Sequence, residues 1–185
     1  MKTHFDSKNL KYDGTQLRAL RNYLEYGLLG DSVLAWIGPC QISLEHMVDG
    51  EDLREQAKIE GSEMIHFIFE VFDVPLVAGV CLQRLMADHV RALILEKTKG
   101  KTALTRQGDD LYFDSKKLSI SIATKSVNSV LVHFALNVRN DGTPVSTCAL
   151  SDFALEAVPF AQEACIRIAE EWVSIKDATW KIRAV

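Results

Sequence analysis

The sequence predicts an α+β fold, with a mixed, largely antiparallel sheet and helices packed mainly on one face. Three observations carry this expectation. Leu118, Ile120 and Ile122 alternate with Lys117, Ser119 and Ser121, and Val130, Val132, Phe134, Leu136 and Val138 alternate with Leu131, His133, Ala135 and Asn137, the period of half-buried strands. Met64 to Phe72 alternates in the same way and is rich in aromatic and branched residues, which favours strand over helix. Ala161, Ala164, Cys165, Ile168, Ala169 and Trp172 recur at helical spacing, an amphipathic stripe made for packing on a sheet.

The elements follow in order. Asp13-Gly14 is a turn, and Thr15 is placed to cap a helix from Gln16 to about Tyr26, bracketed by Gly27 and Gly30. Val33 to Ile37 reads as a short strand stopping at Gly38-Pro39. Asp49 to Gln56 reads as a short helix with Asp49 as its cap. After the Met64–Phe72 strand, Val77 to about Glu96 is helical, with Leu82, Leu85, Met86, Leu93 and Ile94 near one stripe. Ala103 to Phe113 holds two short strands around Gly108-Asp109. A long hairpin follows, then a turn at Asn140-Asp141-Gly142-Thr143-Pro144. Pro159 sits where the last helix can begin.

Composition narrows the class. A chain of 185 residues is expected to form one domain, residues 1–185. Hydrophobic and charged fractions of 48% and 25% match an ordinary soluble protein. A net charge of −4 argues against nucleic acid as a partner. The richest apolar stretch, near Met64 to Val80, is broken by His66, Glu70 and Asp73, so no membrane span is expected. Neither is a secretory signal, since MKTHFDSKNLKYDG lacks an apolar segment. Cys40, Cys81, Cys148 and Cys165 are widely spaced, with no C-x-x-C pair, which fits reduced thiols and a cytoplasmic location.

The hairpin carries the candidate site. With its centre near Val127, Leu118 opposes Leu136 and Ile120 opposes Phe134. Ser121 then opposes His133, and Lys117 opposes Asn137. Burial of one face selects this register. Lys117, Ser119, Ser121, His133 and Asn137 then share a polar face that ends near the thiol of Cys148. A fixed ammonium can stabilise a developing oxyanion, and a thiolate can accept an acyl group. Lys117, His133 and Cys148 are therefore the candidate catalytic residues. Ser119, Ser121, Asn137 and Cys40, in the turn after Gly38-Pro39, are the candidate binding residues. The competing reading is a hairpin with one face in water.

No metal site is assigned. His66 and Glu70 stand about 13 Å apart along a strand. Glu45, Asp49, Glu51, Asp52 and Glu55 read as carboxylates near a helix start. Lys97, Lys99, Lys101 and Arg106 read as a solvated loop that could also attract a phosphate or an acidic carrier protein.

Several pieces carry a resemblance. YDGTQL (Tyr12 to Leu17), WIGPCQIS (Trp36 to Ser43), MVDGED (Met47 to Asp52), MIHFIFEVFD (Met64 to Asp73) and QRLMADH (Gln83 to His89) together resemble an uncharacterised prokaryotic family, domain of unknown function 366, over nearly the whole chain. The resemblance implies the fold of biotin protein ligase, lipoate protein ligase and octanoyl transferase, related to class II tRNA synthetase cores. GDDLYFDSKKLSISIA is similar to the N-D-L-V…K-I-S-G segment of lipoate ligases, and LVHFALNV to the H-G-x-x-L-N-V segment of lipoate ligases and octanoyl transferases. By that resemblance Lys117 falls on the lysine that contacts the acyl carbonyl or phosphate oxygen. His133 falls on the histidine of the H-G strand, and Cys148 lies near the transferase nucleophile.

The departures are specific. Where the ligases carry a glycine-rich segment, this chain has Lys58-Ile59-Glu60-Gly61-Ser62-Glu63, with one glycine and two carboxylates. Such a segment is poorly suited to close approach of a phosphate. Phe134 and Ile120 replace two glycines, and Ser146-Thr147-Cys148-Ala149-Leu150 lacks the glycine-rich turn expected after a nucleophile. The leading expectation is a small-molecule or acyl-group site, in its enzymatic form an acyltransferase or ligase-like activity with a small molecule or acyl carrier protein as partner. The alternative is a binding module that has lost the adenylation loop. A nucleotide- or RNA-associated protein ranks third. The cofactor is left open, and a homodimer through a sheet edge or helix face is compatible with the pattern.

Overall fold

The computed structural model describes residues 1–141 and 145–183. Among the described residues, eight strands and four α-helices run in the order β1 (Lys2–Asp6), α1 (Arg21–Tyr26), β2 (Ser32–Ile42), α2 (Gly50–Glu55), β3 (Ile59–Phe72), α3 (Leu76–Lys97), β4 (Thr105–Gln107), β5 (Asp110–Phe113), β6 (Lys116–Lys117), β7 (Ser119–Lys125), β8 (Ser129–Arg139) and α4 (Ala157–Trp180). The main sheet has the order β1-β2-β3-β8-β7. Only β1 and β2 pair in parallel; the other three pairs are antiparallel. β4, β5 and β6 form a small second sheet.

Alternation divides the main sheet into two faces. Ile65, Phe67, Phe69 and Val71 of β3 and Val130, Val132, Phe134 and Leu136 of β8 form one core with α3 and α4. All six residues of the predicted α4 stripe are buried in that helix. Each fully buried Val, Leu, Ile, Phe or Met of this core contributes about 1.5–3 kcal/mol of transfer free energy. Gly79 lets α3 lie close to β8, because a Cβ there would stand 2.3 Å from Cγ1 of Val130. Pro159 occupies the first turn of α4, where its missing N–H costs no helical bond. No helix among the described residues is long and apolar enough to cross a membrane.

Several boundaries differ from the sequence expectation. Residues 15–20 are turns rather than helix, because both the N–H and the hydroxyl of Thr15 donate to Asp13 Oδ1, so that hydroxyl caps no helix. β2 does not stop at Gly38-Pro39. It continues to Ile42 through a bulge between Gly38 and Cys40, and a bulge tolerates the missing N–H of Pro39. β1, polar and exposed along most of its length, gives no apolar signal in the sequence. Of the turn expected at Asn140 to Pro144, residues 142–144 lie outside the described residues.

The hairpin register is one residue away from the expected one. Ser119 opposes Leu136, Ile120 opposes Ala135, Ser121 opposes Phe134 and Ile122 opposes His133. The loop is two residues, Val127-Asn128, closed by a 2.8 Å bond from Ser126 N–H to the Ser129 carbonyl. Its centre therefore falls between Val127 and Asn128 rather than on Val127. Ser119 and Ser121 move to the helix-side face, where protein partners satisfy their hydroxyls. Ser119 Oγ accepts from Leu111 N–H, and Ser121 Oγ donates to Asp109 Oδ2 and accepts from Gln83 Nε2. In exchange, Ile120 and Ile122 join the face carrying His133.

Candidate functional site

The face of the sheet away from α3 and α4 carries a cleft of about 510 Å³. β2, β3, β8 and β7 form its base. The segment from Ile42 to Glu60, which includes α2, forms one wall, and Asp109, Asp110 and Lys117 form another. Asp49 fixes the start of α2 by accepting the N–H groups of Glu51 and Asp52 at 2.8 and 3.2 Å.

An aromatic and imidazole stack makes the floor. Tyr12 lies over His133 with ring centroids 3.8 Å apart and an interplanar angle of 17°. Trp36 stacks on His66 at 5.1 Å. Tyr12 reaches this position because residues 10–12 run beside β2: Tyr12 N–H donates to the Pro39 carbonyl at 2.8 Å, and Trp36 Nε1 donates to the Leu10 carbonyl at 2.8 Å. Gly38 permits that approach, since a Cβ there would stand 2.0 Å from the Leu10 oxygen.

The two histidines are hydrogen-bonded to each other. His66 Nε2 is 3.1 Å from the Gly38 carbonyl, and His66 Nδ1 is 3.1 Å from His133 Nε2. Burial lowers the pKa of His66 to about 3 and that of His133 well below its ordinary value, with the neighbouring His66 adding to the second shift. Both rings are therefore neutral at pH 7.

Around this floor the lining is apolar and acidic. Ile42, Ile59, Met64, Ile120 and Ile122 supply apolar surface. Asp49, Glu51, Asp52, Glu60, Asp109 and Asp110 supply carboxylates, against the ammonium groups of Lys58 and Lys117. Lys117 Nζ is paired with Asp110 Oδ2 at 2.8 Å. The pKa of Asp52 is raised, first by burial and then by the Asp49 carboxylate, while Lys117 opposes the rise.

The residues singled out in the sequence divide into two groups. Lys117, His133 and Asn137 border the cleft; Ser119 and Ser121 border it too, along the edge strand β7, but their hydroxyls are turned to the helix side rather than sharing a face with His133 as expected. Asn137 acts as a clamp, its Nδ2 donating to the carbonyls of Lys117 at 3.3 Å and Cys148 at 3.1 Å. Cys148 and Cys40 do not border it. Cys148 is 1% exposed and packs in the helix-side core, with Sγ donating to the Lys116 carbonyl at 3.4 Å. Burial pushes its thiol up to about 11, and that of Cys40 up to about 12. An acyl-accepting thiolate, the role considered for Cys148 from the sequence, is thus not what the structure presents: its neighbours are core side chains and a backbone carbonyl.

Sequence reasoning missed Tyr12, Asp110 and the partnership of His66 with His133. A signal for the last was available: His66 and His133 are lone imidazoles on the non-helix faces of two strands that proved adjacent.

The chain matches, over residues 1–183, the model of a family described as domain of unknown function DUF366. It belongs to the DUF366 family. Among its relatives, this DUF366 chain is 28% identical over 173 residues to the uncharacterized protein MJ0805 of Methanocaldococcus jannaschii, covering 90% of this chain and 77% of that protein. A solved protein of unknown function from Pyrococcus horikoshi superposes with a TM-score of 0.93 at 32% identity, covering all of both chains. The biotin protein ligase of Aquifex aeolicus, in its apo structure, superposes with a TM-score of 0.61 at 17% identity, over 95% of this chain and 71% of that one. Protein Ta0514 of T. acidophilum, with bound lipoic acid, gives 0.54 at 14% identity, over 94% of this chain and 87% of that one. The DUF366 fold is therefore that of the biotin and lipoate ligases, a class II synthetase-like fold.

Proposed function

We propose that the cleft binds a small organic molecule with an apolar body, and that its catalytic form is transfer of an acyl group held near Lys117. The observation that carries this reading is the composition of the cleft. A cavity of about 510 Å³ has the size of a small-molecule site, and an apolar patch of Ile42, Ile59, Met64, Ile120 and Ile122 adjoins its charged groups. Lys117, held by Asp110, would polarise an acyl carbonyl. Structural neighbours solved with biotin and ATP, and with lipoic acid, use the same fold for small ligands. The acidic lining here disfavours a nucleotide phosphate beside the apolar wall. Since Cys148 faces the core, the acceptor's nucleophile would attack the carbonyl of a thioester donor directly, the C–S bond breaking as the new acyl bond forms and the acceptor's proton passing to the leaving thiol, with no covalent enzyme intermediate.

The test combines binding with intact-mass analysis. An octanoyl thioester of N-acetylcysteamine should raise the melting temperature of the protein, and Ile120→Trp, which fills the cleft, should abolish the shift. Incubation with octanoyl carrier protein should leave the mass of the protein unchanged. No thermal shift with the thioester, together with no effect of Ile120→Trp, would sink the binding reading. A stable octanoyl adduct lost in Cys148→Ala would replace the direct route with a covalent one.

A further inference from the structure

The hydrogen bonds beneath the cleft have a fixed direction. A carbonyl oxygen only accepts, so His66 Nε2 must carry the proton that points to Gly38. A neutral His66 then has a bare Nδ1, which only accepts, so the proton between the two rings belongs to His133 Nε2. The remaining nitrogen, His133 Nδ1, is left as a lone-pair acceptor.

That nitrogen has no hydrogen-bond partner among the described residues, although His133 is only 2% exposed. It is also not enclosed: the fully buried polar side-chain atoms without a partner are Arg21 Nη1 and Asn22 Oδ1. The open space that His133 borders is the cleft. The hydroxyl of Tyr12, whose ring covers His133, is in the same situation, without a partner and outside that enclosed set. An acceptor this sheltered gains from a donor and loses from another acceptor. The carboxylates of Asp49, Glu51, Asp52, Glu60, Asp109 and Asp110 around the cleft add to the penalty for an anion.

We infer that the ligand of this cleft places an N–H donor on His133 Nδ1, and that His66, tied to the Gly38 carbonyl, is the positioning residue that fixes His133 in the accepting tautomer. The ligand class is an amide-bearing or lactam-like molecule with an apolar body, rather than one that buries a carboxylate or phosphate at this end. This rests on the cleft reading above and deepens it. His133 and Asn137, whose side chain holds the Lys117 carbonyl, are four residues apart on β8. The two ends of the site are thus about 13 Å apart along the strand, so a ligand that serves both is extended.

The test uses protein labelled with 15N at histidine, probed with hexanamide and with N,N-dimethylhexanamide, which lacks the N–H. In the free protein both imidazoles should show a proton on Nε2 and a bare Nδ1. Hexanamide should shift the His133 Nδ1 resonance and bind about tenfold more tightly than its dimethyl analogue. In His66→Phe the fixed tautomer and the tenfold preference should both be lost. A proton found on His133 Nδ1 in the free protein overturns the inference whatever binds. Shifts at the methyl groups of Ile120, Ile122 and Met64 with both amides equally, without a response at His133 Nδ1, overturn the inference and leave the cleft reading standing. No shift at those methyl groups with either probe defeats both.

Discussion

Tyr12 and His133 lie face to face, 3.8 Å between ring centroids, although 120 residues of chain separate them and no regular strand carries the tyrosine. The tyrosine is held by one parallel bridge to Cys40 and by backbone bonds with Pro39 and Gln41. The histidine is held by β8. The floor of the cleft therefore depends on how closely the segment before α1 can approach β2, and a single glycine controls that distance.

Gly38→Ala should consequently disturb the floor as well as the strand. The added Cβ would sit 2.0 Å from the Leu10 carbonyl oxygen, a backbone atom that cannot swing aside as a side chain does. The expected cost is about 1–3 kcal/mol, typical of overpacking. It should appear as a lower urea midpoint together with altered fluorescence of Trp36, whose indole N–H donates to that same carbonyl. An unchanged midpoint and spectrum would show that residues 10–12 are not seated against β2 as described.

The imidazole pair predicts a dependence of stability on pH. Burial keeps His66 neutral down to about pH 3 and His133 lower than its ordinary value, whereas both titrate near 6.5 in the unfolded chain. Between these limits the unfolded state binds more protons than the folded one, so stability is lost as pH falls from about 6.5 toward 3. Each histidine adds a slope of up to about 1.4 kcal/mol per pH unit. Urea unfolding at pH 7, 6, 5 and 4 should show this decline, and His66→Phe/His133→Phe should flatten it. The same slope in the double variant would assign the decline to carboxylates instead.

Much of the scaffold was legible in the sequence because it rests on repeated signals. The α4 stripe repeats its apolar pattern over three turns, and the alternation of β3 and β8 continues for eight or more residues. The hairpin register was not, because it turns on whether the loop centre lies on Val127 or beside it, a difference of one residue between two polar, turn-prone options. Both registers bury apolar groups. The choice is made by Asp109, Gln83 and Leu111 N–H, which come from other elements and satisfy Ser119 and Ser121. Of the residues that border the cleft, Lys117, His133 and Asn137 were legible from their own strands. Tyr12, His66 and Asp110 were not, since each matters through a partner brought in from elsewhere. Cys148 stood out as a thiol in sequence, but its environment is decided by packing against the helices.

Thiol reactivity checks that packing. Cys40, Cys148 and Cys165 are buried, with thiols raised by desolvation to about 12, 11 and 12, while Cys81 is exposed on α3. Titration of the native protein at pH 8 with an aromatic disulfide reagent should release one equivalent rapidly, and titration in urea should release all four. Cys81→Ser should remove the rapid equivalent. Fast reaction of the Cys81→Ser protein, lost again on adding Cys148→Ala, would put the Cys148 thiol at the surface.

Lys117 and Asp110 should separate function from stability. Their side chains are 32% and 25% exposed, so solvent screens the pair, and its contribution to folding is at most about 1 kcal/mol. Lys117→Ala should leave the melting temperature within a few degrees of wild type. Its effect on the cleft should be larger, because it deletes one of two ammonium groups facing six carboxylates. Lys117 also opposes the raised pKa of Asp52, so its removal should push that carboxyl further up. Binding of the octanoyl thioester to Lys117→Ala should weaken by about tenfold, the loss of one charge-assisted contact to a carbonyl. Lys117→Arg should recover only part of this, since a planar guanidinium does not reproduce a compact ammonium. Asp110→Asn leaves the ammonium in place without its partner, and should bind the thioester at least as well as wild type. Equal thioester affinity in wild type and Lys117→Ala, with folding intact in both, would remove the lysine from the site and assign it to the surface.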